Sequence, residues 1–383
     1  MFVGDVEHQL TIYGTPVAPG DAFLVAMHNP ITLGEKIGSA SPDAWVGVTD
    51  ATRWRIGNST GQTRMHALWQ RHIVRRAVRS YLDCAGFIEI DSPLLVHGST
   101  PDAAIDSFAV MDRYLVTSTE YQIKRLEVGG FDRTYTLTQN YRFADHEGQF
   151  RNPEFTMLEW ARVGQDLAMI EKDAEQMTWA AHLALGGSGQ LSFSGHMIDL
   201  RPPWARMTVA EAIERFAGAA LPDFSLSSIL NAVQIAGITI DSASAHDIYF
   251  LFSLLMDHIQ NQLGLTKPVF VTDWPAFETS SAREKSEGAI AERSEMFIAG
   301  IEISDGFPSL TDYDAQKRSF ARQNARRHAD GKAEVVVDDK YMESLRVGLP
   351  RGAGMALGFD RLVMVLTNRS SIRDVLAFAW DEV

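Results

Sequence analysis

An α+β fold, a mostly antiparallel β-sheet flanked by helices, is the architecture this sequence predicts. Two facing runs, RTYTLTQNYRF and PEFTMLEWAR, read as an antiparallel hairpin across a loop of about eight or nine residues. A second β-rich stretch runs from Pro268 to Leu310, and helical periodicity groups around the two.

The elements follow in order. Short β-like runs, QLTIYGTPV and DAFLVAM, broken by Gly, Pro, Asn and Asp, predict a small β-rich cap over residues 1–58. That span is too short for the five strands of a complete OB barrel, so residues 59–383 read as a free-standing main domain. Thr63 to Ala85 carries Met65, Leu68, Trp69, Ile73, Ala77, Val78, Tyr81 and Leu82 at helical spacing. Arg64, Arg71, Arg75, Arg76 and Arg79 then form the other face, a solvated or intersubunit ion-pair surface, with nucleic-acid contact as the alternative. Gly86 caps this helix, and FIEIDSPLL alternates as a strand closed by Pro93. Further helices are predicted at YQIKRLEVGG, at residues 166–184, at Thr208 to Phe216 behind the capping box TVAE, at Asp247 to Ile259 and at Asp314 to Asp330. LSFSGHMIDL reads as a short hairpin.

Composition narrows the function classes. The 383 residues are 45% hydrophobic, enough for a large core. The excess of 49 acidic over 35 basic residues, formally −14, speaks against broad phosphate-backbone binding. No run approaches the ~20 apolar residues of a membrane span, and MFVGDVEHQL lacks the features of a signal peptide, so a cytoplasmic location is expected. The single Cys84 excludes an internal disulfide and a cysteine-cluster metal site. Its place on an apolar helix face predicts a buried structural thiol.

Three linked motifs carry the chemistry: GFIEIDSPLL (Gly86 to Leu95), YRFADHEGQFRNPEFTMLEW (Tyr141 to Trp160) and GLPRGAGMALGFDRLVMVL (Gly348 to Leu366). In that order and separation they resemble motifs 1, 2 and 3 of class II aminoacyl-tRNA synthetases, in the lysyl branch. The resemblance covers residues 60–383 and implies an ATP- and Mg²⁺-dependent enzyme that activates an amino acid, with a homodimer built through motif 1. Such activation asks a protein mainly for positioning and for neutralisation of phosphate charge, which the planar fork of arginine suits.

Residue by residue, the resemblance implies that Arg142 contacts the α-phosphate and the attacking carboxylate, and that Phe155 stacks on adenine. Arg361, just inside the helix that follows Gly358, is implied to meet the γ-phosphate. Arg151 stands where relatives have a loop histidine and is placed to reach the pyrophosphate. Glu295 and Glu302, in AERSEMFIAGIEISDGF, match the magnesium-holding glutamates. Seven residues apart on one continuous strand they would face opposite ways, so either Ala299 and Gly300 form a bulge or turn, or one of the two is not a ligand. Glu120 matches the residue that holds the substrate α-amine and Glu159 one that holds the side-chain amine.

The match then departs from the lysyl pattern. Ala144 replaces a glutamate that reads adenine, Ala161 an aromatic, Asp305 an asparagine and Ser309 the second side-chain-binding glutamate. Ala356, where lysyl-tRNA synthetases have glycine, and the basic Arg346 follow instead the elongation-factor-P β-lysine ligases, to which the chain is closest in this resemblance. The expected activity is therefore an aminoacyl-adenylate-forming ligase for an amine-bearing amino acid, with a protein lysine or a small-molecule amine as acceptor. A truncated lysyl- or asparaginyl-type tRNA synthetase and a non-catalytic binding or regulatory paralogue are the alternatives.

Overall fold

The computed structural model describes residues 63–143, 148–242, 244–285 and 289–383, with the backbone of four short strands before residue 63. Two of those strands, Asp21–Ala26 and Thr32–Ser39, pair antiparallel. The other two, Phe2–Val3 and Val6–Glu7, also pair antiparallel, and the remainder of the expected cap, QLTIYGTPV included, lies outside the described residues.

An eight-stranded sheet organises the main domain. Numbered in chain order, its strands are β1 (Ile88–Glu89), β2 (Arg133–Tyr141), β3 (Glu154–Val163), β4 (Ala205–Thr208), β5 (Val269–Pro275), β6 (Ile290–Ile298), β7 (Ile301–Pro308) and β8 (Gly352–Gly358). The spatial order is β4-β5-β6-β7-β8-β3-β2-β1. The six strands from β5 to β2 pair antiparallel, and only the edge strands β4 and β1 join in parallel. This is the α+β class expected from the sequence.

The helices are α1 (Arg64–Cys84), α2 (Glu120–Val128), α3 (Leu167–Ala184), α4 (Val209–Ala217), α5 (Leu226–Ile235), α6 (Ile248–Gln260), α7 (Tyr313–Ala329), α8 (Asp339–Gly348) and α9 (Phe359–Leu366). Alternation along β3 shows how the sheet separates its faces. Leu158 and Trp160 enter a core shared with α1, α3 and α9, while Met157, Glu159 and Ala161 line a cavity on the opposite face. A second core joins α4, α5 and α6 to β5, and the TVAE capping box opens α4 as expected. A third packs α2, α7 and α8 through stacked rings of Tyr121 and Tyr341, 4.1 Å apart.

Several expectations change. The β2–β3 connection is residues 142–153, longer than the expected eight or nine, because Arg142 N–H still bonds Pro153 O but proline has no N–H to return, and Phe143 turns away. The Phe143 N–H donates to Asp106 O instead. FIEIDSPLL yields β1 and a separate two-residue strand, Leu95–Val96, in another sheet. Cys84 is exposed, since the buried stripe of α1 is Ala67, Val74, Val78 and Leu82 and Cys84 lies about 200° past Leu82. The same stripe leaves Trp69 exposed and turns Arg71 inward.

The turn between β6 and β7 settles the parity of the two glutamates. Ala299 and Gly300 both have positive φ, 54° and 77°, so the chain reverses there. Ile303 bulges out of register, leaving Glu302 opposite Phe297 and Asp305 opposite Glu295. Glu295 and Glu302 therefore share one face of the sheet. A Cβ at Gly300 would fall 2.8 Å from Asn261 Cα at a left-handed φ. Gly300→Ala is expected to cost about 1–3 kcal/mol, read as a lower urea midpoint. An unchanged midpoint would show that the turn relaxes freely.

Candidate active site

Two adjoining cavities open on the sheet face opposite the main core. The first, about 870 Å³ of empty space, is lined by Glu120, Lys124, Glu127, Glu159, Asp305, Phe307, Ser309 and Ala356 among others. The second, about 1340 Å³, is lined by Arg151, Phe155, Glu302, Gly358 and Arg361 among others. Arg142, Glu278, Arg293, Asp305 and Ala356 border both.

Strand register builds the floor they share. Glu159, Ala356, Asp305 and Glu295 stand opposite one another across β3, β8, β7 and β6. One step along, Ala161 and Phe307 flank Gly354. A Cβ on Gly354 would lie 3.1 Å from Trp160 O and 3.4 Å from the Ala161 methyl.

At the junction, the backbone N–H of Arg142 donates to Pro153 O at 2.9 Å, and its guanidinium lies over the Phe155 ring, 5.3 Å from the centroid. Among the described residues the buried Arg142 Nε has no hydrogen-bond partner. A buried cationic donor left in that state fits an anionic ligand. Arg361 sits in the first turn of α9, whose N-cap Gly358 supplies no capping side chain. Its Nε donates to Phe150 O at 3.1 Å and its Nη1 to Glu302 O at 3.0 Å. The open helix end beside a guanidinium suits a phosphate. Arg151 borders the same cleft. Ala144 lies outside the described residues.

The acidic groups differ in their state. Glu159 is buried and accepts from the Ser118 hydroxyl, the Thr119 hydroxyl and the Thr119 N–H, the last at 2.6 Å. Burial nonetheless pushes its carboxyl up. Glu120 is ion-paired with the buried Lys124 one helical turn on. Asp305 accepts from Arg293 Nε at 2.8 Å, and Arg293 Nη2 donates to Glu295 at 2.7 Å. Glu302 lines the nucleotide-sized cleft, whereas Glu295 lies behind Arg293 and borders neither cavity. Among the described residues no group of three or more His, Cys, Asp or Glu side chains is poised for a metal ion. A single carboxylate beside phosphate oxygens fits Mg²⁺; Glu302 lines that cleft, with its Oε2 3.4 Å from Arg361 Nη1. Ser309 and Ala356 line the first cavity, while Arg346 lies outside both, stacked on Tyr313.

The structure brings in residues that sequence reasoning missed. Asp360 is buried, ion-paired with Arg71, and accepts from the Thr156 N–H at 2.7 Å. Arg71 Nη2 also donates to Thr156 Oγ1 at 2.8 Å. Thr156 directly follows Phe155 and Asp360 directly precedes Arg361, so this network joins the two motifs. The arginine face of α1 is thus largely committed within the chain, with Arg64 bound to Glu382 and Arg79 to Glu89. Glu127 and Glu278, each pushed up to about 7 by burial, also line the first cavity. The signal available for Arg71 was its spacing, four residues from Ala67 and three from Val74, inside the buried stripe.

A family model for tRNA synthetases class II (D, K and N) matches residues 53–382. The chain belongs to that family. It is 32% identical to the lysine–tRNA ligase of Pelotomaculum thermopropionicum over 88% of its own length and 68% of that protein. It is 33% identical to the lysine–tRNA ligase of Prochlorococcus marinus, covering 88% and 69%. Identity to the lysine–tRNA ligase of Moorella thermoacetica is 34%, over 79% and 63%. Membership of the class II family makes the chain a synthetase-like ligase. Among the described residues no helix is long and apolar enough to cross a membrane.

Removing the carboxylate that joins the family's second and third motifs is expected to be costly. Asp360→Ala leaves Arg71 charged in a low-dielectric pocket and should lower unfolding free energy by about 3–5 kcal/mol in a denaturant titration. A loss under about 1 kcal/mol would show that the pair contributes little.

Proposed function

We propose that this protein is an ATP- and Mg²⁺-dependent ligase that joins an amine-bearing amino acid to AMP. It then passes the acyl group to an acceptor other than tRNA, a protein lysine such as that of elongation factor P, or a small-molecule amine. The observation that carries the first half is Arg142, with an unsatisfied Nε, at the junction of an acidic cavity and a cleft bordered by Phe155, Glu302 and Arg361.

In this reading the amino acid occupies the acidic cavity, with its α-amine at Glu120 and its side-chain amine near Glu159, between Asp305, Ser309 and Ala356. Adenine lies on Phe155, and the phosphates extend toward Arg361 and Arg151. A carboxylate oxygen of the substrate attacks the α-phosphorus. The new O–P bond forms as the bond to the bridging oxygen breaks, and pyrophosphate leaves with that electron pair. Arg142 neutralises both reacting anions, and Arg361 with the α9 terminus neutralises the leaving group. Acceptor attack at the acyl carbon then expels AMP, and the amine gives up a proton.

Glu302 would hold Mg²⁺ together with phosphate oxygens; the bound ion supplies further neutralisation of phosphate charge. Glu295 would join as a second ligand only if Arg293 released it. Glu120 likewise must share its carboxylate between Lys124 and a substrate ammonium.

Ala356 supports the resemblance to the elongation-factor-P ligases, since its methyl stands in the floor between Glu159 and Asp305 and narrows the cavity there. The similarity to lysine–tRNA ligases favours a second reading, attachment of lysine to tRNA. Exposed apolar side chains along motif 1, Ile88, Leu94 and Leu95, support a homodimer. We place the enzyme in the cytoplasm.

ATP–pyrophosphate exchange with a panel of amino acids tests the reaction. Arg142→Ala and Arg361→Ala should each lower exchange about 100-fold or more at unchanged melting temperature; an undiminished rate rejects the role assigned. Transfer of labelled amino acid to bulk tRNA, and not to protein or amine, would decide for the second reading. Absence of both exchange and ATP binding would leave a binding or regulatory module. Light scattering should report a dimer.

A further inference from the structure

We propose that Glu127 is a second, deep carboxylate of the amino-acid cavity, the receptor for a distal cationic group, and that the preferred substrate is a diamino acid carrying an amine on its side chain. The proposal deepens the reading of the acidic cavity as the amino-acid site and rests on it.

The placement follows from α2. Glu120, Lys124 and Glu127 fall at i, i+4 and i+7 and so share one helix face. All three line the cavity. Two helical turns set Glu127 about 10 Å along the axis from Glu120. A substrate with its α-amine near Glu120 would thus have a second carboxylate waiting at the far end of the same wall.

Burial pushes two of the cavity acids, Glu127 and Glu278, up to about 7, and of these Glu127 is the one with a buried carboxylate oxygen left without a hydrogen-bond partner among the described residues. Glu120 has Lys124, Asp305 has Arg293, and Glu159 has three hydrogen-bond donors. Glu127 is only 5% exposed, and among the described residues its Oε2 has no hydrogen-bond partner. The nearest cation, Lys124, is bound to Glu120 and makes no ion pair with Glu127 among the described residues. A buried carboxylate left in that state is unfavourable, and its burial pushes the carboxyl up to about 7 in spite of Lys124. A ligand ammonium would supply the missing charge and the missing donor together.

The cavity also has room for such a group. Small side chains, Ala161 on β3 and Ser309 just past β7, border it, and Gly354 lies between Ala161 and Phe307 on the floor. Space and uncompensated negative charge therefore occur in one enclosure. Acidic side chains would meet repulsion there, and a neutral one would leave Glu127 unpaired.

The test is Glu127→Gln in the full chain, assayed by ATP–pyrophosphate exchange with lysine, β-lysine and ornithine beside norleucine, which lacks the distal amine. Wild type should prefer a diamino acid to norleucine. The variant should raise KM for that diamino acid about 10-fold or more, with kcat within about twofold, and lose most of the preference. A retained preference overturns the proposal. Calorimetric titration of the same amino acids into both proteins, without ATP, keeps Glu127 testable if no exchange occurs: equal affinities overturn it. Failure of exchange in wild type with every amino acid would instead count against the ligase reading. Melting provides the control for a structural role. Removal of an unpaired buried carboxylate should leave the melting temperature equal or higher, and a fall with unchanged preference would assign Glu127 to the scaffold.

Discussion

The carboxylate of Asp360 is held out of water between the Arg71 guanidinium and the Thr156 N–H, and the geometry of the catalytic face depends on that arrangement. An isolated ion in such a place would cost several kcal/mol, so each partner is fixed by the other. Arg71 comes from α1, Thr156 from β3 and Asp360 from the first turn of α9. Their union sets Phe155 and Arg361, one residue away on either side, across the same cleft. The Phe359 ring beneath Arg71, 4.9 Å from its centroid, closes the pocket against water. A site made from segments some 200 residues apart in sequence thereby becomes one rigid surface.

The sheet supplies the second constraint. Antiparallel register across β3, β8, β7 and β6 puts Glu159, Ala356, Asp305 and Glu295 in one row, and residues without bulk, Gly354 and Gly358, leave open space above it. Arg293 then divides the row. It binds both Asp305 and Glu295 and borders both cavities, with Glu302 on the side of the second. The cavities meet where the reacting anions would meet, at Arg142.

Much of this was legible in the chain. The β2–β3 hairpin, the capped helix α4 and the strand-to-helix step at Gly358 are local features, governed by period, caps and turn residues within about ten positions. Parity was legible as a question: Glu295 and Glu302 could share a face only with a bulge or turn, and the structure has both. The boundary of β2 was not legible, because Phe143 reads as strand yet its N–H turns away to Asp106 O. Cys84 was misread for a related reason. Its helix has apolar residues on more than one side, and only contact with α3 and the sheet decides which side is core.

By itself the sequence determined an α+β domain of the class II synthetase family, with Arg142 and Arg361 in its second and third motifs. These follow from local periodicity and from motifs whose residue types are dictated by phosphate chemistry. Tertiary structure alone decided the charge state of the site: Arg71 inward on Asp360, Lys124 on Glu120, Arg293 between two acids, and Glu127 left without a partner. The physical reason is desolvation. Whether a buried charge is compensated depends on side chains brought from distant parts of the chain, and no spacing along the sequence records that.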